Sequence, residues 1–381
     1  ILTDPNGNTY QHDPQAPNRF CRDDATHQTC IIESPAGGTW EMRVDFVETT
    51  RENEFALWAS ARTAVDFELF VGTPGSERGP GEPVLLLGYL HESGKPLAGR
   101  SVSVNVFGPV GEPVLLKLQD DGEHGDGQPD DGIYGGYLLA TEATGIYAAR
   151  GQAEGDDSLG NPFTLFDNAT FDVRPRVLYV YDTDLTTALA FESLLEDNSL
   201  VVDLAVKGAV PGLNLQKYNL VIIGAETGET FSRTWEPQAA VDAITQNELP
   251  VLGLADGGGL YFDAFNPALD IGWLDSAIST GTAINWNRLT NTDAIWRYPY
   301  EFSLPKEPLQ LYESASRRVD VYVGDQPTGV TIFGYNDNDD RYADLIMDEG
   351  FWMLWGFSEG PTAMTDTGRE LFVNTVYRTL R

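Results

Sequence analysis

A chain of 381 residues is too long for one hydrophobic core and points to two or three domains. Its 41% apolar and 11% aromatic content excludes wholesale disorder, and its formal charge of -34 disfavours nucleic acid and anionic membrane surfaces as partners. Such acidity fits a secreted or cell-surface protein, a salt-rich habitat or bound divalent cations.

Residues 1–79 read as all-β. ILTDPNGNTY is a strand running into a Pro-Asn-Gly turn. CIIESPAGGTWEMRVDFVE is strand, turn, strand, with Trp40, Met42, Val44 and Phe46 on one face at period two. FALWASAR and VDFELFVG supply two further strands. Cys21 and Cys30, the two cysteines of the chain, sit in a polar loop. In an oxidising compartment they would close a small disulfide loop; otherwise they are unrelated thiols. No CxxC or CxxCH occurs, which argues against redox-dithiol, zinc-ribbon and haem-attachment chemistry. No apolar run approaches the roughly 18 residues of a membrane span, so no membrane insertion is expected. No signal peptide is read, and the start at Ile1 suggests a processed N-terminus whose strand could be donated to another chain. Through LTDPNGNTY and IESPAGGTWEMRV the segment resembles small β-sandwich modules that stand beside protease or von Willebrand A domains in bacterial secreted proteins.

GTPGSERGPGEP (72–83) reads as a linker. Residues 80–174 are again strand-rich, with turn spacing that suits a sandwich of roughly seven strands. Within them lies an acidic loop, Asp120 to Gly132, carrying Asp120, Asp121, Asp126, Asp130 and Asp131 among glycines that let the backbone wrap. Oxygen ligands at this density suit Ca²⁺, although the spacing is not that of an EF-hand; a solvated acidic turn is the plain alternative. Through GKPLAGRSVSVNV and DDGEHGDGQPDDGIY the segment resembles extracellular bacterial immunoglobulin-like domains, and that resemblance implies a structural calcium site.

From Arg176 strands and helices alternate: VLYVYD, the helical TTALAFESLLED, LVVDLAV, YNLVIIGAE, the helical PQAAVDAITQN, and PVLGLADGGGLYF. This predicts a parallel sheet with helices on both faces. RRVDVYVG, GVTIFGYN and FWMLWGFS add strands, NDNDD (336–340) a solvated hairpin turn or else a second cation loop, and TDTGRELFVNTVYRTL a closing helix capped by Thr365 or Asp366. Trp352 and Trp355 read as core, whereas Trp286 and Trp296, in polar settings, suggest a sugar-stacking or protein-contact surface. In PVLGLADGGG an apolar strand turns sharply into a glycine-rich helix start, with Ala255, Asp256 and Gly257 at the corner. The triple glycine lacks the Lys and Ser/Thr of a phosphate-binding P-loop. VLYVYD, YNLVIIG, PVLGLADGGGLYF and FWMLWGFSEGPTAMTDTGRELFVNTVY resemble the class I glutamine-amidotransferase-like fold across residues 175–381. The family's nucleophilic Cys falls on Ala255. Its later histidine has no counterpart, because His12, His27, His91 and His124 are the only four histidines. Acyl transfer by a nucleophile and adjacent base is thereby disfavoured. Asp182, Asp184, Glu226 and Asp256 close the predicted parallel strands; they could form a carboxylate site, or act as helix caps.

The sequence therefore leads to a mixed multidomain chain: two all-β sandwiches followed by an α/β three-layer flavodoxin- or glutamine-amidotransferase-like domain. The expected role is that of a non-catalytic secreted or cell-surface structural or adhesion protein, such as a fibre subunit or the tail of a larger surface protein. Its expected partners are proteins, itself or carbohydrate. The competing expectations are a secreted carbohydrate-active hydrolase working through Asp182, Glu226 and Asp256, and a ligand-binding module that keeps the crevice of the α/β domain without a reaction.

Overall fold

The computed structural model describes residues 1–10, 19–23, 28–32, 39–43, 64–72, 78–228, 234–266, 269–273, 276–324 and 329–380. These fall into two units, Ile1–Arg62 and Thr63–Arg381.

In the first unit β1 (Leu2–Thr3) lies between β2 (Thr9–Tyr10) and β5 (Glu41–Met42), antiparallel to both. Both edges of β1 are thus paired within the unit, so the expected donation of the Ile1 strand to another chain is not supported. A hairpin of β3 (Arg19–Asp23) and β4 (Gln28–Ile32) sets Cys21 directly across from Cys30. Val44, Phe46 and the expected FALWASAR strand lie outside the described residues.

The expected boundary at residue 79 is corrected. β6 (Val65–Val71), the VDFELFV strand assigned above to the first module, pairs along its whole length with β7 (Val84–Glu92). With β8 (Lys95–Pro96) and β11 (Ile133–Leu138) these strands form one sheet of a sandwich. The other sheet runs β10 (Val114–Leu118), β9 (Ser101–Phe107), β12 (Gly145–Asp156), β13 (Pro162–Val173). Alternation decides which residues meet between them: Val84, Leu86 and Leu90 face Val102, Val104 and Val106 in one core. Each such side chain contributes about 1.5–3 kcal/mol relative to exposure.

The described part of the predicted linker is built into the fold. Arg78 is buried with its guanidinium over the Phe171 ring at 5.9 Å, and its carbonyl accepts from Arg174 N–H at 2.8 Å. Arg176, at the start of the next domain, donates to Glu82 and to Asp203, the latter at 3.0 Å. The sandwich and the α/β domain therefore share a charged seam inside one unit.

That domain opens with β14 (Arg176–Tyr181), α1 (Leu185–Glu196), β15 (Val201–Val206) and β16 (Leu220–Ile223). It continues with α2 (Gln238–Gln246), β17 (Val251–Leu254), α3 (Ala255–Phe265), β18 (Ser276–Gly281) and β19 (Ala283–Trp286). It closes with β20 (Leu309–Gln310), β21 (Ser316–Tyr322), β22 (Val330–Asn336), β23 (Tyr342–Asp348), β24 (Trp352–Trp355) and α4 (Asp366–Thr379). β15, β14, β16, β17 and β24 are consecutive parallel neighbours, the 2-1-3-4-5 order of a doubly wound sheet. The sequence expectation of a parallel sheet covered on both faces holds. Val177, Tyr179, Ile222 and Leu252 pack on one side with Phe191 of α1 and Phe372 of α4. Leu178, Val180, Val221 and Ile223 pack on the other with Ile244 of α2 and Phe262 of α3. Beyond β24 the sheet continues antiparallel through β23, β22, β19 and β20, with β21 and β18 attached. Thr365, not Asp366, caps α4: its Oγ1 accepts from Gly368 N–H at 3.0 Å.

Candidate functional site

In a doubly wound sheet ligands meet the carboxyl ends of the strands where the strand order reverses, here between β14 and β16. The structure brings Asp182, Glu226 and Lys207 together there. Glu226 Oε1 accepts from Asp182 N–H at 2.9 Å. Lys207 Nζ lies 2.8 Å from Asp182 Oδ2 and donates to the Thr227 carbonyl at 2.9 Å. Asp184 stands apart as the cap of α1, accepting from Thr187 N–H at 3.0 Å. Asp256, one residue into α3, is gripped by Arg317 through two hydrogen bonds of 2.8 and 2.7 Å. Each candidate carboxylate thus already has a structural partner, a capped amide or a cation.

The corner itself is a sharp turn with no loop between β17 and α3. Ala255 is fully buried and has φ +42, a left-handed value that a residue with a Cβ holds only under local constraint. The chain bends there because the glycines allow a close approach. A Cβ on Gly257 would strike the Gly224 carbonyl, and one on Gly258 would strike the backbone of Gly253. The triple glycine therefore seats α3 against β16 and β17. At the tip of the turn the chain offers a methyl group, with no thiol or hydroxyl.

The acidic loop is closed by its own backbone. Asp126, almost fully buried, accepts from Asp121, Gly122 and His124 N–H at 2.7, 2.8 and 3.1 Å. Asp120 accepts from Asp131 and Gly132 N–H, both at 3.1 Å. Asp131 accepts from Gln128 and Ile133 N–H, at 3.2 and 3.0 Å. Asp121 bonds the His124 ring at 2.9 Å, which lowers its own pKa and raises that of the imidazole. Asp120 is pushed up by desolvation, with the charges of Asp131 and Asp130 adding to the shift. Asp130 occupies a turn at φ +62. Among the described residues no group of three or more His, Cys, Asp or Glu side chains is arranged to hold a metal ion. Asp120, Asp126 and Asp131 of the expected calcium set are turned onto backbone amides of the loop. Tyr134, in the GIY that follows, anchors the loop to the sandwich: its hydroxyl donates to the Leu97 carbonyl and accepts from Arg100 N–H, both at 2.9 Å.

Two surface expectations are corrected. Trp296 is buried in a 3₁₀ turn and donates to Thr290 Oγ1 at 3.1 Å, while Trp286 packs against it at 6.1 Å, so the pair does not form an exposed aromatic platform. The NDNDD turn is solvated only in part. Asn336 is buried, and Asp337 pairs with Arg318 at 2.8 Å.

Sequence reasoning missed this last cluster altogether. Arg318 is fully buried in the antiparallel extension and contacts Asp320 at 3.2 Å, Asp337 at 2.8 Å and Asp344 at 3.0 Å. The available signal was an Arg on an otherwise apolar alternating strand, RRVDVYV, beside an Asp two positions on.

The described architecture is that of a multidomain protein with an immunoglobulin-like sandwich and a parallel α/β sheet. Residues 89–172 match the family described as "Conditioned medium factor 2nd Ig-like domain". Human calcium-activated chloride channel regulator 2 is 30% identical over 80 residues, 21% of this chain and 8% of that protein. The horse calcium-activated chloride channel regulator 1 is 33% identical over 68 residues, 18% of this chain and 7% of that protein. The chain thus spans less than a tenth of the length of either relative. Among solved structures, a GMP synthase subunit from Thermoplasma acidophilum gives a TM-score of 0.36 at 10% identity, over 55% of this chain and 96% of that one. PurLQS from Thermotoga maritima gives 0.36 at 13% identity, over 54% of this chain and 99% of that one. Among the described residues no helix is long and apolar enough to cross a membrane.

Proposed function

We propose that this chain is part of a non-catalytic extracellular or cell-surface protein, in which an immunoglobulin-like module is fused to a glutamine-amidotransferase-like domain that has no nucleophile. The observation that carries the reading is Ala255, held at φ +42 where a strand turns into a helix over three glycines. The strained corner is kept and its reactive atom is absent. No histidine follows residue 124, so no imidazole in the α/β domain could activate a water or a thiol there. The hydrolase alternative needs a carboxylic acid and a carboxylate left unengaged across an open gap. Asp182, Glu226 and Asp256 are instead taken up by Lys207, a backbone amide and Arg317.

The work left to such a chain is structural: holding protein partners, or further copies of itself, outside the cell. The strong negative charge suits a soluble surface in contact with the medium. The test assays ammonia release from glutamine and hydrolysis of a panel of glycosides by the native protein, beside Asp256→Ala and Ala255→Cys. Neither substrate class should turn over with any of the three, because the thiol alone lacks its base. Turnover by the native protein that disappears in Asp256→Ala would sink the proposal. Protease shaving of intact source cells checks the location, with release of fragments of this chain expected.

A further inference from the structure

The environment of Arg318 does not balance. One guanidinium, fully buried, faces three aspartates, Asp320 and Asp344 buried and Asp337 partly exposed. Among the described residues a second cation does not reach the cluster: Arg341 is engaged by Asp339 at the surface, and Arg317, next in sequence, points to Asp256. The remaining groups facing it are neutral. Ser279 Oγ of β18 accepts from Arg318 Nε at 2.9 Å, Asn336 of β22 donates to Asp320 Oδ1 at 3.0 Å, and the Phe357 ring lies 5.7 Å from the guanidinium.

Asp344 holds the remaining detail. Its Oδ2 accepts from Arg318 Nη1 at 3.0 Å, while Oδ1 is buried and receives no N–H or O–H from the described residues. Asp320 and Asp344 sit on the same guanidinium, at 3.2 and 3.0 Å, so two buried carboxyls share one cation. Two ionised carboxylates repel in a dry interior, and one of these has an oxygen to which nothing donates, so a proton on one of the pair removes both the repulsion and the uncompensated charge.

We propose that Asp344 and Asp320, the two buried carboxyls on one guanidinium, hold one proton between them beneath Arg318, and that this proton stabilises the pairing of β21 with β23 inside the antiparallel extension. With the proton in place the orphan oxygen becomes a donor, and the cluster of one arginine and three aspartates falls from two excess negative charges to one. Burial and the neighbouring Asp320 raise the Asp344 pKa well above the ordinary carboxylate value. The sign follows. In the unfolded chain the group releases its proton near pH ~3.9. The folded state retains it to higher pH. The proton's contribution to stability is fully present below about pH 3.9 and is lost as pH rises through the folded value.

The experiment compares denaturation midpoints of the native protein and Asp344→Asn between about pH 5 and pH 9, a range above the unfolded carboxyl's titration. The introduced amide is neutral at every pH of the range, standing in for the protonated acid. The native midpoint should fall across this range and that of Asp344→Asn should stay level, the two diverging as pH rises. Parallel curves would overturn the proposal. Should Asp344→Asn fail to fold, infrared spectroscopy of the native protein decides: a protonated carboxylic acid band is expected at neutral pH, and its absence overturns the shared proton.

Discussion

Arg317 grips Asp256 with two near-parallel hydrogen bonds, of 2.8 and 2.7 Å, across the start of α3. The partners are unequally placed: the side chain of Asp256 is 12% exposed and that of Arg317 is 43% exposed. Removing each should therefore cost different amounts. Arg317→Ala leaves a nearly buried carboxylate without its cation and should destabilise the domain by about 2–3 kcal/mol, toward the lower end of buried-pair losses because one partner is wet. Asp256→Ala leaves a guanidinium that can turn into water and should cost about 1 kcal/mol or less. Urea denaturation of both variants checks the order, and equal losses would show that solvent screens the pair completely.

Much of this half of the chain is legible in the sequence. VLYVYD, LVVDLAV, YNLVIIG and PVLGLA are short apolar runs separated by helical or turn segments, and that pattern leaves little choice but a covered parallel sheet. Ala255 falls at the corner because the glycines behind it allow one bend. Strand partners are less legible. VDFELFV shows its alternation plainly, yet alternation says which side is buried and not against which neighbour, so sequence alone puts β6 in the wrong module. Trp296 misleads because its neighbours are polar, while the 3₁₀ turn at Ala294–Trp296 tucks the ring inward. Of the Arg318 cluster the sequence shows only Arg318 and Asp320 on one apolar strand; Asp337 and Asp344 join them when the strands of the extension pair.

The acidic loop of the sandwich carries bracing of its own. Asp126 accepts from three amides, so the loop is pinned by a carboxylate cradled by its own backbone. A chelator should leave the thermal midpoint unchanged, and calorimetric titration with Ca²⁺ should release no saturable heat. Asp126→Ala should cost about 2–4 kcal/mol, because three loop amides lose their acceptor. A midpoint that falls on chelation and recovers with added Ca²⁺ would restore the cation reading.

Two loops of the same five-residue form, Asp4-Pro5-Asn6-Gly7-Asn8 and Asp157-Ser158-Leu159-Gly160-Asn161, are held identically. In each, the first Asp accepts from the backbone and side-chain amides of the last Asn, at 2.7 and 2.7 Å for Asp4 and at 2.7 and 2.9 Å for Asp157. For Asp4 desolvation works the other way and is outweighed by the bonds from Asn8 and Tyr10; for Asp157 the Asn161 side-chain bond leads. Both carboxyls titrate below their ordinary value. A depressed folded pKa means stability that is present above about pH 3.9 and lost as pH falls through the folded values. Carboxyl NMR titration should place both among the most acidic aspartates, and Asp157→Asn should remove part of the acid sensitivity.

Cys21 and Cys30 face each other across β3 and β4 in register. Directly opposed residues of an antiparallel pair have Cα atoms about 4.5–5.5 Å apart, inside the range of about 4.4–6.8 Å that a disulfide spans. We therefore expect the pair to be oxidised in an oxidising compartment. Closing so short a loop removes about 2–3 kcal/mol of chain entropy from the unfolded hairpin. Alkylation of the denatured, unreduced protein should label neither thiol, and prior reduction should label both. Reduction should also expose the 19–32 hairpin to proteolysis while the sandwich core around Leu86 and Val104 stays resistant, since that core lies in the other unit and draws nothing from the bond. Labelling of both thiols without reduction would mean that facing register alone does not bring them to react, and the hairpin would then have to hold by its backbone ladder.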